Sequence, residues 1–345
     1  MKKVVILGGG FAGSLIAKKL EKELDVTLID TKDYFEFTPS VLRTIVEAEH
    51  IKKIQILHEN YLKKAKVIKG KVSEISKNYV KLKGKKFKFD YLAVCSGSGY
   101  SSPFKEQNII IATRATTLRN YHDKLSKSKN IIIIGGGLVG VELAGEILSK
   151  YKDKLITIVH SGEKLIERNH ERAIMYADKF LRDKGVKIVL KEKVISNEKG
   201  ICITDKKTCI NADMIFLCTG IVPNFEFMKK NYNKCLNEKN QIKVNEYLQL
   251  FGEKNIFVAG DVNDLKVEKT AQNAEKQGWA VVRNIMRMEK EMDLIKFEAK
   301  KTPLVISLGK YKGIFDNGKF VWGGIIPALM KQHIENWAML KKRMF

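Results

Sequence analysis

Two glycine-rich turns are the residues whose types and spacing most directly predict chemistry. The first is Gly8-x-Gly10-x-x-Gly13, which follows an apolar strand and opens a helix through Phe11 and Ala12. In such a turn the first glycine makes the bend, the second lets the backbone approach a pyrophosphate, and the third lets helix and strand pack closely. The N–H groups at the helix N-terminus then face the phosphates. This pattern predicts a dinucleotide site.

The strand after the first turn strengthens this prediction. It reads DVTLID and ends at Asp30, 22 positions after Gly8. A carboxylate at this strand tip can accept hydrogen bonds from the ribose of a bound dinucleotide. Because strand, glycines, helix, strand and acid follow one another in order, we expect a dinucleotide at the first turn.

The same arrangement returns 127 positions later, at Gly135-x-Gly137-x-x-Gly140, where the following helix begins near Leu138. Its next strand, LITIVH, ends in His160 rather than in an acid. Without a carboxylate at that tip nothing repels a 2′-phosphate, so NADPH is not excluded. The repeat predicts an internal duplication of a nucleotide-binding domain.

The residues after His160 leave the choice of nicotinamide dinucleotide open. Lys164 or Arg168 could bind a 2′-phosphate, whereas Glu163 is close enough to keep NADH possible. One of the two turns could hold a flavin dinucleotide and the other a nicotinamide dinucleotide.

Composition predicts a globular protein of two or three domains. The 345 residues are 44% hydrophobic, and 63 Lys and Arg against 39 Asp and Glu give a net charge of +24. That charge would attract anionic lipid, nucleic acid or an acidic protein, or it reflects a lysine-rich proteome or the charged surface of a thermophile's protein. The five cysteines show no Cys-x-x-Cys pair and no zinc spacing, which indicates buried thiols in a reducing compartment and no metal site.

The ends of the chain and its hydropathy predict where the protein resides. The sequence starts almost directly on a strand, and no apolar run reaches the roughly 20 residues that span a bilayer. We therefore expect a cytoplasmic protein, either soluble or peripheral on the inner face of a membrane.

With these motifs the chain resembles the two-dinucleotide-binding-domain flavoproteins of the pyridine nucleotide-disulfide oxidoreductase superfamily, over about residues 1 to 290. The resemblance implies FAD at the first turn and NADH or NADPH at the second. It assigns FAD contacts to the backbone near Val72, in GKVSEI, and to Asp261 and Val262, in NIFVAGDV. Two segments, FDYLAVCSGS and ADMIFLCTGIVPN, resemble the places where the chain crosses between domains, and their assigned residues are Ser96, Gly97 and Gly220.

The region after the first turn lacks the cysteine pair of the best-known members, so electrons must leave the flavin directly. The resemblance narrows to type II NADH:quinone oxidoreductases and ferroptosis-suppressor-type quinone reductases. GVELAGE places Glu142 on the nicotinamide and flavin side, where we expect it to position the nicotinamide or relay a proton. TAQNAEKQG resembles a quinone-pocket motif, with Gln272 and Gln277 matching and Lys276 departing from it, so ordinary helix-surface roles stay open for both glutamines.

The end of the chain predicts an amphipathic helix. Apolar residues recur at steps of three and four, at Ile326, Leu329, Met330, Ile334, Trp337, Leu340 and Met344. The other face holds Lys331, Gln332, Glu335, Asn336, Lys342 and Arg343. Such a helix fits a bilayer interface. The alternative is that its apolar stripe packs on the FAD domain or on a second subunit of a homodimer.

Together these features predict an α/β protein with two Rossmann-like dinucleotide-binding domains, the second inserted in the first, and a small α+β C-terminal region. The expected FAD domain covers residues 1–112 and 245–292, the NAD(P) domain 113–244 and the C-terminal region 293–345. The expected activity is an FAD-dependent NAD(P)H:quinone oxidoreductase without a redox disulfide. The alternatives are a ferredoxin or rubredoxin reductase, and a nucleic-acid-binding flavoprotein like apoptosis-inducing factor, although no specific recognition motif is present.

Overall fold

The computed structural model describes residues 1–100, 109–111, 114–198 and 200–344. The first part begins with the predicted strand, glycine turn and helix and ends at the first crossing segment. Its elements are β1 (Lys3–Leu7), α1 (Phe11–Leu20), β2 (Asp25–Asp30), β3 (Tyr34–Glu36), 3₁₀ helices over Thr38–Ile45 and Ala48–His50, α2 (Ile51–Ile54), β4 (Gln55–Leu57), α3 (His58–Tyr61), β5 (Lys66–Lys69), β6 (Val72–Ile75), β7 (Tyr79–Leu82), β8 (Lys85–Lys88), β9 (Tyr91–Val94) and β10 (Ser98–Tyr100).

The second part repeats the strand, turn and helix and ends at the second crossing segment. Its elements are β11 (Ile109–Ile111), α4 (Ala115–Asn120), α5 (His122–Lys127), β12 (Asn130–Ile134), α6 (Leu138–Lys150), β13 (Leu155–His160), α7 (Glu171–Asp183), β14 (Lys187–Leu190), β15 (Val194–Glu198), β16 (Ile201–Thr204), β17 (Cys209–Asn211), β18 (Met214–Leu217) and β19 (Ile221–Pro223).

The last part returns to the first sheet and then forms the C-terminal region. Its elements are 3₁₀ helices over Glu226–Met228 and Asn233–Cys235, α8 (Lys229–Tyr232), β20 (Ile256–Val258), α9 (Ala271–Glu289), β21 (Leu304–Ser307), β22 (Gly313–Asp316), β23 (Val321–Gly324) and α10 (Ile325–Met344).

Two parallel five-stranded sheets with the same topology form the framework. The first has the strand order β20-β9-β1-β2-β5 and the second β11-β18-β12-β13-β14. Each outermost strand β5 and β14 is followed by a three-stranded antiparallel sheet, β6-β7-β8 and β15-β16-β17. The predicted α/β fold with a duplicated nucleotide-binding domain is therefore confirmed.

Burial explains why the two central strands are so apolar. Four of the five residues of β1 and four of the five of β12 are buried. A parallel sheet that is covered on both faces requires such continuous apolar strands, because neither face meets water. On the first sheet, α1 packs against α9 at Gly278, where a Cβ would lie 3.1 Å from the Ala12 carbonyl oxygen.

The domain crossings lie earlier in the chain than the predicted boundaries. The boundary at residues 112 and 113 lies outside the described residues, but β11 already pairs with β18 of the second sheet. Near the other boundary, Phe227 and Met228 belong to the buried core of the first domain, well before residue 245. The sheet β10-β19 joins the two crossing segments, with Ser98 opposite Pro223.

The C-terminal region is an antiparallel sheet, β21-β22-β23, followed directly by α10. It packs on the second domain, where a Cβ at Gly145 of α6 would lie 2.6 Å from the backbone of Leu308. Helix α10 also contacts α2 and α3 of the first domain. The region therefore bridges both dinucleotide-binding domains.

Candidate functional site

The first glycine turn packs tightly against backbone at Gly8 and Gly13 but has open space at Gly10. Gly8 has a φ of +96°, and a Cβ built on it would lie 2.3 Å from the Cys95 carbonyl oxygen. A Cβ on Gly13 would lie 1.9 Å from the Gly8 carbonyl oxygen, so α1 and β1 approach closely only because no side chain intervenes. At Gly10, no atom of the described residues lies within 4 Å of a built Cβ. This is the geometry that a pyrophosphate requires.

The second turn repeats this geometry. Gly135 has a φ of +113°, and its built Cβ would lie 2.5 Å from the Cys218 carbonyl oxygen. A Cβ on Gly140 would lie 1.9 Å from the Gly135 carbonyl oxygen, while one on Gly137 meets nothing within 4 Å in the described part of the chain. Helix α6 begins at Leu138, as expected.

Asp30 lies at the tip of β2, beside the first turn. Its Oδ2 accepts a hydrogen bond from the Gly9 N–H at 2.7 Å and lies 3.5 Å from Nε2 of His58. Burial raises the pKa of Asp30, but His58, Lys32 and the Gly9 N–H outweigh burial and hold that pKa below its ordinary value. The carboxylate is therefore ionised at neutral pH and can accept from ribose hydroxyls.

Asp261 lies between the crossing segment and α9. Its Oδ2 accepts from the Ser98 hydroxyl at 2.9 Å, and burial raises the pKa of this carboxyl. Val262, the next residue, is fully buried. An acid held at the end of β20 in this way fits a hydrogen bond to a polyol chain.

The crossing segments are tied together and leave their glycines accessible. The Ser96 hydroxyl donates to the Asn224 carbonyl oxygen at 2.8 Å, and the Asn224 amide donates back to the Ser96 carbonyl oxygen at 2.8 Å. Built Cβ atoms at Gly97 and Gly220 meet no described atom within 4 Å. Val72 is buried at the start of β6, so only its backbone could serve a cofactor, and that contact stays a prediction.

His160 lies at the tip of β13, in the position that Asp30 has in the first domain. Its Cγ would lie 2.9 Å from a Cβ on Gly136, and burial lowers the pKa of its imidazole. Lys164 is engaged with Glu171 at 2.8 Å, and Glu163 with Lys191 at 2.8 Å. The tip therefore presents a neutral ring rather than a carboxylate, which favours neither nicotinamide dinucleotide.

Glu142 lines a narrow cavity of about 10 Å³ between the two domains and the C-terminal region. Its Oε1 accepts from the Ser307 N–H at 2.8 Å and from the Lys331 ammonium at 2.5 Å. Both side chains of this pair are only 14% exposed. The sequence predicts Glu142 as a site residue and puts Lys331 on the polar face of the terminal helix without a partner, and the structure pairs the two.

A second ion pair, which the sequence analysis misses, lines the same cavity. Arg43, from the 3₁₀ helix over Thr38–Ile45, donates to both carboxylate oxygens of Glu146 at 3.2 Å. The Ser307 hydroxyl also donates to Glu146 at 2.9 Å. Glu146 lies one helical turn after Glu142, so the i, i+4 spacing of two acids on α6 is the signal that could have pointed to a shared site.

Comparison with known proteins identifies the family. The model of a family described as "Pyridine nucleotide-disulphide oxidoreductase" matches residues 2–278. The chain belongs to this family. It is an FAD-dependent NAD(P)H oxidoreductase, as the resemblance predicts, with FAD and NAD(P)H as cofactors.

Its relatives and structural neighbours match nearly the whole chain. Apoptosis-inducing factor homolog A of Dictyostelium discoideum is 32% identical over 365 residues, covering 96% of this chain and 89% of that protein. Ferroptosis suppressor protein 1 of Homo sapiens is 30% identical over 345 residues, covering 95% and 92%. The sulfide:quinone oxidoreductase of Aquifex aeolicus shares the fold, with a TM-score of 0.89 at 20% identity, covering 99% of this chain and 92% of that one.

In this oxidoreductase, Cys95 and Cys218 pack against the two glycine turns. Both are buried at equivalent strand ends, and their carbonyl groups are the ones that Gly8 and Gly135 approach. Burial raises the pKa of Cys95 to about 12 and raises that of Cys218 as well. Neither thiol is poised to form the thiolate that disulfide or persulfide chemistry needs.

The two predicted quinone residues of this oxidoreductase differ in burial. Gln277 is buried, and its side-chain oxygen accepts from the Gly260 N–H and the Asn263 amide, each at 2.7 Å. It therefore holds the turn that carries Asp261, and its contact with a quinone stays a prediction. Gln272 is exposed on the first turn of α9, so its contact with a substrate stays a prediction.

Helix α10 exposes most of its apolar stripe, whereas a helix that packs on a protein core usually buries its apolar face. Its buried residues are Pro327, Ala328, Glu335 and Met339. Six residues of the predicted apolar stripe are between 39% and 70% exposed, namely Ile326, Leu329, Ile334, Trp337, Leu340 and Met344. The alternative in which this stripe packs on the FAD domain is therefore wrong.

The inward face of α10 also carries polar side chains that contact both domains. Beyond Lys331, Glu335 pairs with His50 at 3.1 Å, and Lys342 donates to the Ser14 hydroxyl at 2.6 Å. Among the described helices none is long and apolar enough to cross a membrane. In the same residues no cluster of three or more His, Cys, Asp or Glu side chains could hold a metal ion.

Proposed function

We propose that this oxidoreductase passes electrons from NADH or NADPH, through FAD, to a quinone. When bound, FAD accepts hydride from the nicotinamide and returns two electrons to the acceptor. The observation that carries the proposal is the terminal helix, which supplies Lys331 to the cavity at Glu142 and turns an apolar row outward. That arrangement suits an acceptor dissolved in lipid. The structural neighbour from Aquifex aeolicus is named as an enzyme that acts on a quinone. The buried Cys95 thiol, with its raised pKa, argues against electron transfer through cysteines.

The chain contributes binding, orientation and proton supply. The open faces at Gly10 and Gly137 fit the two pyrophosphates, and Asp30 fits the ribose of FAD. Reduction of a quinone to a quinol takes up two protons along with two electrons. We assign to Glu142 either the positioning of the nicotinamide or the holding of such a proton at its carboxylate, with Lys331 fixing its orientation.

A second candidate function rests on the lysines of the sheet β6-β7-β8. Six lysines in and beside these strands are exposed, namely Lys71, Lys77, Lys83, Lys85, Lys86 and Lys88. A surface of one charge steers an oppositely charged partner, so an acidic ferredoxin or rubredoxin could dock there.

An acceptor comparison separates these two functions. With NADH or NADPH as donor, we expect a short-chain quinone to be reduced at least about tenfold faster than ferredoxin, at equal concentration and low salt. Ferredoxin depends on electrostatic steering, so its rate would fall steeply with added salt, while the quinone rate would hold. Faster reduction of ferredoxin that collapses in salt would favour the second function.

We further propose that the outward face of α10 docks on a membrane surface that contains anionic lipid. The apolar row would enter the acyl boundary, and Lys341 and Arg343 flank its end. Arg343 also lies against the backbone of Lys52 and Lys53, so cations from two elements gather there. A cationic rim around an apolar face is the combination that interfacial helices use.

Three substitutions test this surface without disturbing the cavity. Leu329→Gln, Trp337→Gln and Leu340→Gln, at side chains 52%, 57% and 53% exposed, should together lower vesicle binding at least about 100-fold. Co-flotation with phosphatidylserine-containing vesicles measures this loss. A matched control replaces Met175, Ile195 and Phe251, which are 64%, 56% and 67% exposed, by Gln and should bind like the wild type.

Equal flotation of the two triple variants would overturn the membrane proposal. If the wild type instead stays off vesicles while sedimentation shows that only the α10 variant changes in mass, the row is a homodimer contact.

A further inference from the structure

His58 lies against the first glycine turn in a completely buried position. A Cβ built on Gly9 would lie 2.3 Å from its Cε1 and 2.4 Å from its Nε2, so the imidazole packs directly on the turn backbone. His58 belongs to none of the sequence motifs described above. One of its ring nitrogens has a hydrogen-bond partner and the other has none in the described part of the chain.

Nδ1 of His58 has a close partner and Nε2 has none at ordinary hydrogen-bond distance. Nδ1 lies 2.6 Å from the Tyr61 hydroxyl. Nε2 makes no hydrogen bond with any described residue, and its charged neighbour is Oδ2 of Asp30 at 3.5 Å. A polar atom in a fully buried position without a partner needs an explanation, because burying it unpaired costs free energy.

The two neighbours of His58, Asp30 and Tyr61, determine which of its nitrogens carries the proton. The Tyr61 hydroxyl, whose pKa burial raises, lies 2.6 Å from Nδ1 and can donate its proton there. Lys342 of α10 lies 4.9 Å from the Tyr61 ring centre and donates to the Ser14 hydroxyl, which holds this side of the cluster in place. A neutral imidazole whose Nδ1 accepts carries its proton on Nε2. A proton on Nε2 attracts the Asp30 carboxylate, whose Oδ2 lies 3.5 Å away, whereas a lone pair there would repel it.

Asp30 offers two oxygens that are held differently. Oδ2 receives the Gly9 N–H at 2.7 Å and faces His58. Oδ1 accepts only longer contacts, from the Lys32 N–H at 3.1 Å and the Thr31 hydroxyl at 3.3 Å. The turn and His58 therefore hold Oδ2, while the residues that follow Asp30 in the chain hold Oδ1, so the orientation of the whole carboxylate is set from both sides.

We propose that His58 is a positioning residue for the flavin site: its Nε2–H orients the Asp30 carboxylate so that this carboxylate receives the adenosine ribose of FAD. The proposal deepens the proposed function and rests on FAD being bound at the first turn. Tyr61 selects the tautomer of His58 that makes this possible. His58 itself touches Asp30 and the turn, not the reacting atoms.

Two amide variants of the full-length chain separate the two nitrogens of the ring. The amide of His58→Gln reaches the place of Nε2, and that of His58→Asn the place of Nδ1. We expect His58→Asn to weaken FAD binding about tenfold to a hundredfold, the usual range for losing a hydrogen bond to a charged group, and His58→Gln to stay within about threefold of the wild type. Flavin fluorescence titration of the deflavinated chain measures the dissociation constants.

FMN provides the readout that a merely structural role would not give. FMN lacks the adenosine half, so its dissociation constant should be the same for the wild type and both variants. Asp30→Asn should weaken FAD and spare FMN in the same way as His58→Asn. Equal weakening of FMN and FAD by His58→Asn, or unchanged FAD binding, would overturn the proposal. A wild-type chain that binds no FAD would instead overturn the proposed function.

Discussion

Gly10→Val should yield a protein that purifies without flavin colour, whereas Gly137→Val should keep its flavin but no longer be reduced by NADH or NADPH. Both glycines have extended backbone, with φ of −71° and −74°, so valine introduces no strain. In the described residues neither built Cβ meets an atom within 4 Å, so the empty protein should fold normally. The added side chain occupies only the space of a pyrophosphate.

The expected loss of affinity follows from the hydrogen bonds that the side chain blocks. Each bond from a backbone N–H to a phosphate oxygen is worth about 1.5–3 kcal/mol, so losing two weakens binding by at least about 100-fold. Flavin content and NADH-dependent bleaching of the flavin measure the two effects separately. The two variants are matched controls for each other, and loss of flavin from both would contradict separate sites.

Glu142→Gln should keep bound FAD while turnover with a quinone falls about 100-fold. Gln preserves the size of the side chain and can still accept from Ser307, but it removes the negative charge that faces Lys331. General acid–base and positioning groups typically contribute about 10²–10⁴ in rate. Steady-state kinetics with NADH and a short-chain quinone, together with the flavin content, measure the change.

Two companion variants sharpen this prediction. Lys331→Met should cause a similar loss, and the double variant should be little worse than either single one, because the two side chains act as a unit. Glu226→Gln breaks an exposed pair with Lys229 at 2.8 Å and should leave turnover unchanged. Unchanged turnover in Glu142→Gln would remove the assigned role, and equal losses in Glu226→Gln would show that the effect is not specific.

The duplicated domains could be predicted because their signals are local. Gly8, Gly13, Gly135 and Gly140 must lack side chains for reasons that act within a few residues of the turn, so the pattern alone specifies the geometry. The amphipathic pattern of the terminal helix is equally local. The sequence predicts the helix itself for this reason.

Features that depend on distant contacts could not be predicted in the same way. The pattern of α10 separates two faces but does not say which one meets the protein, and the ion pair with the partly buried Glu142 turns Lys331 inward. Gln277 matches a motif in sequence, yet its burial against Gly260 is set by how α9 packs on the first sheet. Arg43 meets Glu146, and His58 meets Asp30, only when segments that are separate in the chain pack together.

An anaerobic titration of the purified protein tests the central claim most directly. We expect a yellow protein in which one equivalent of NADH or NADPH bleaches the visible absorbance of the flavin, and in which one equivalent of a short-chain quinone restores it. A protein that stays colourless when supplied with FAD, or a reduced flavin that quinone does not reoxidise, would contradict this account.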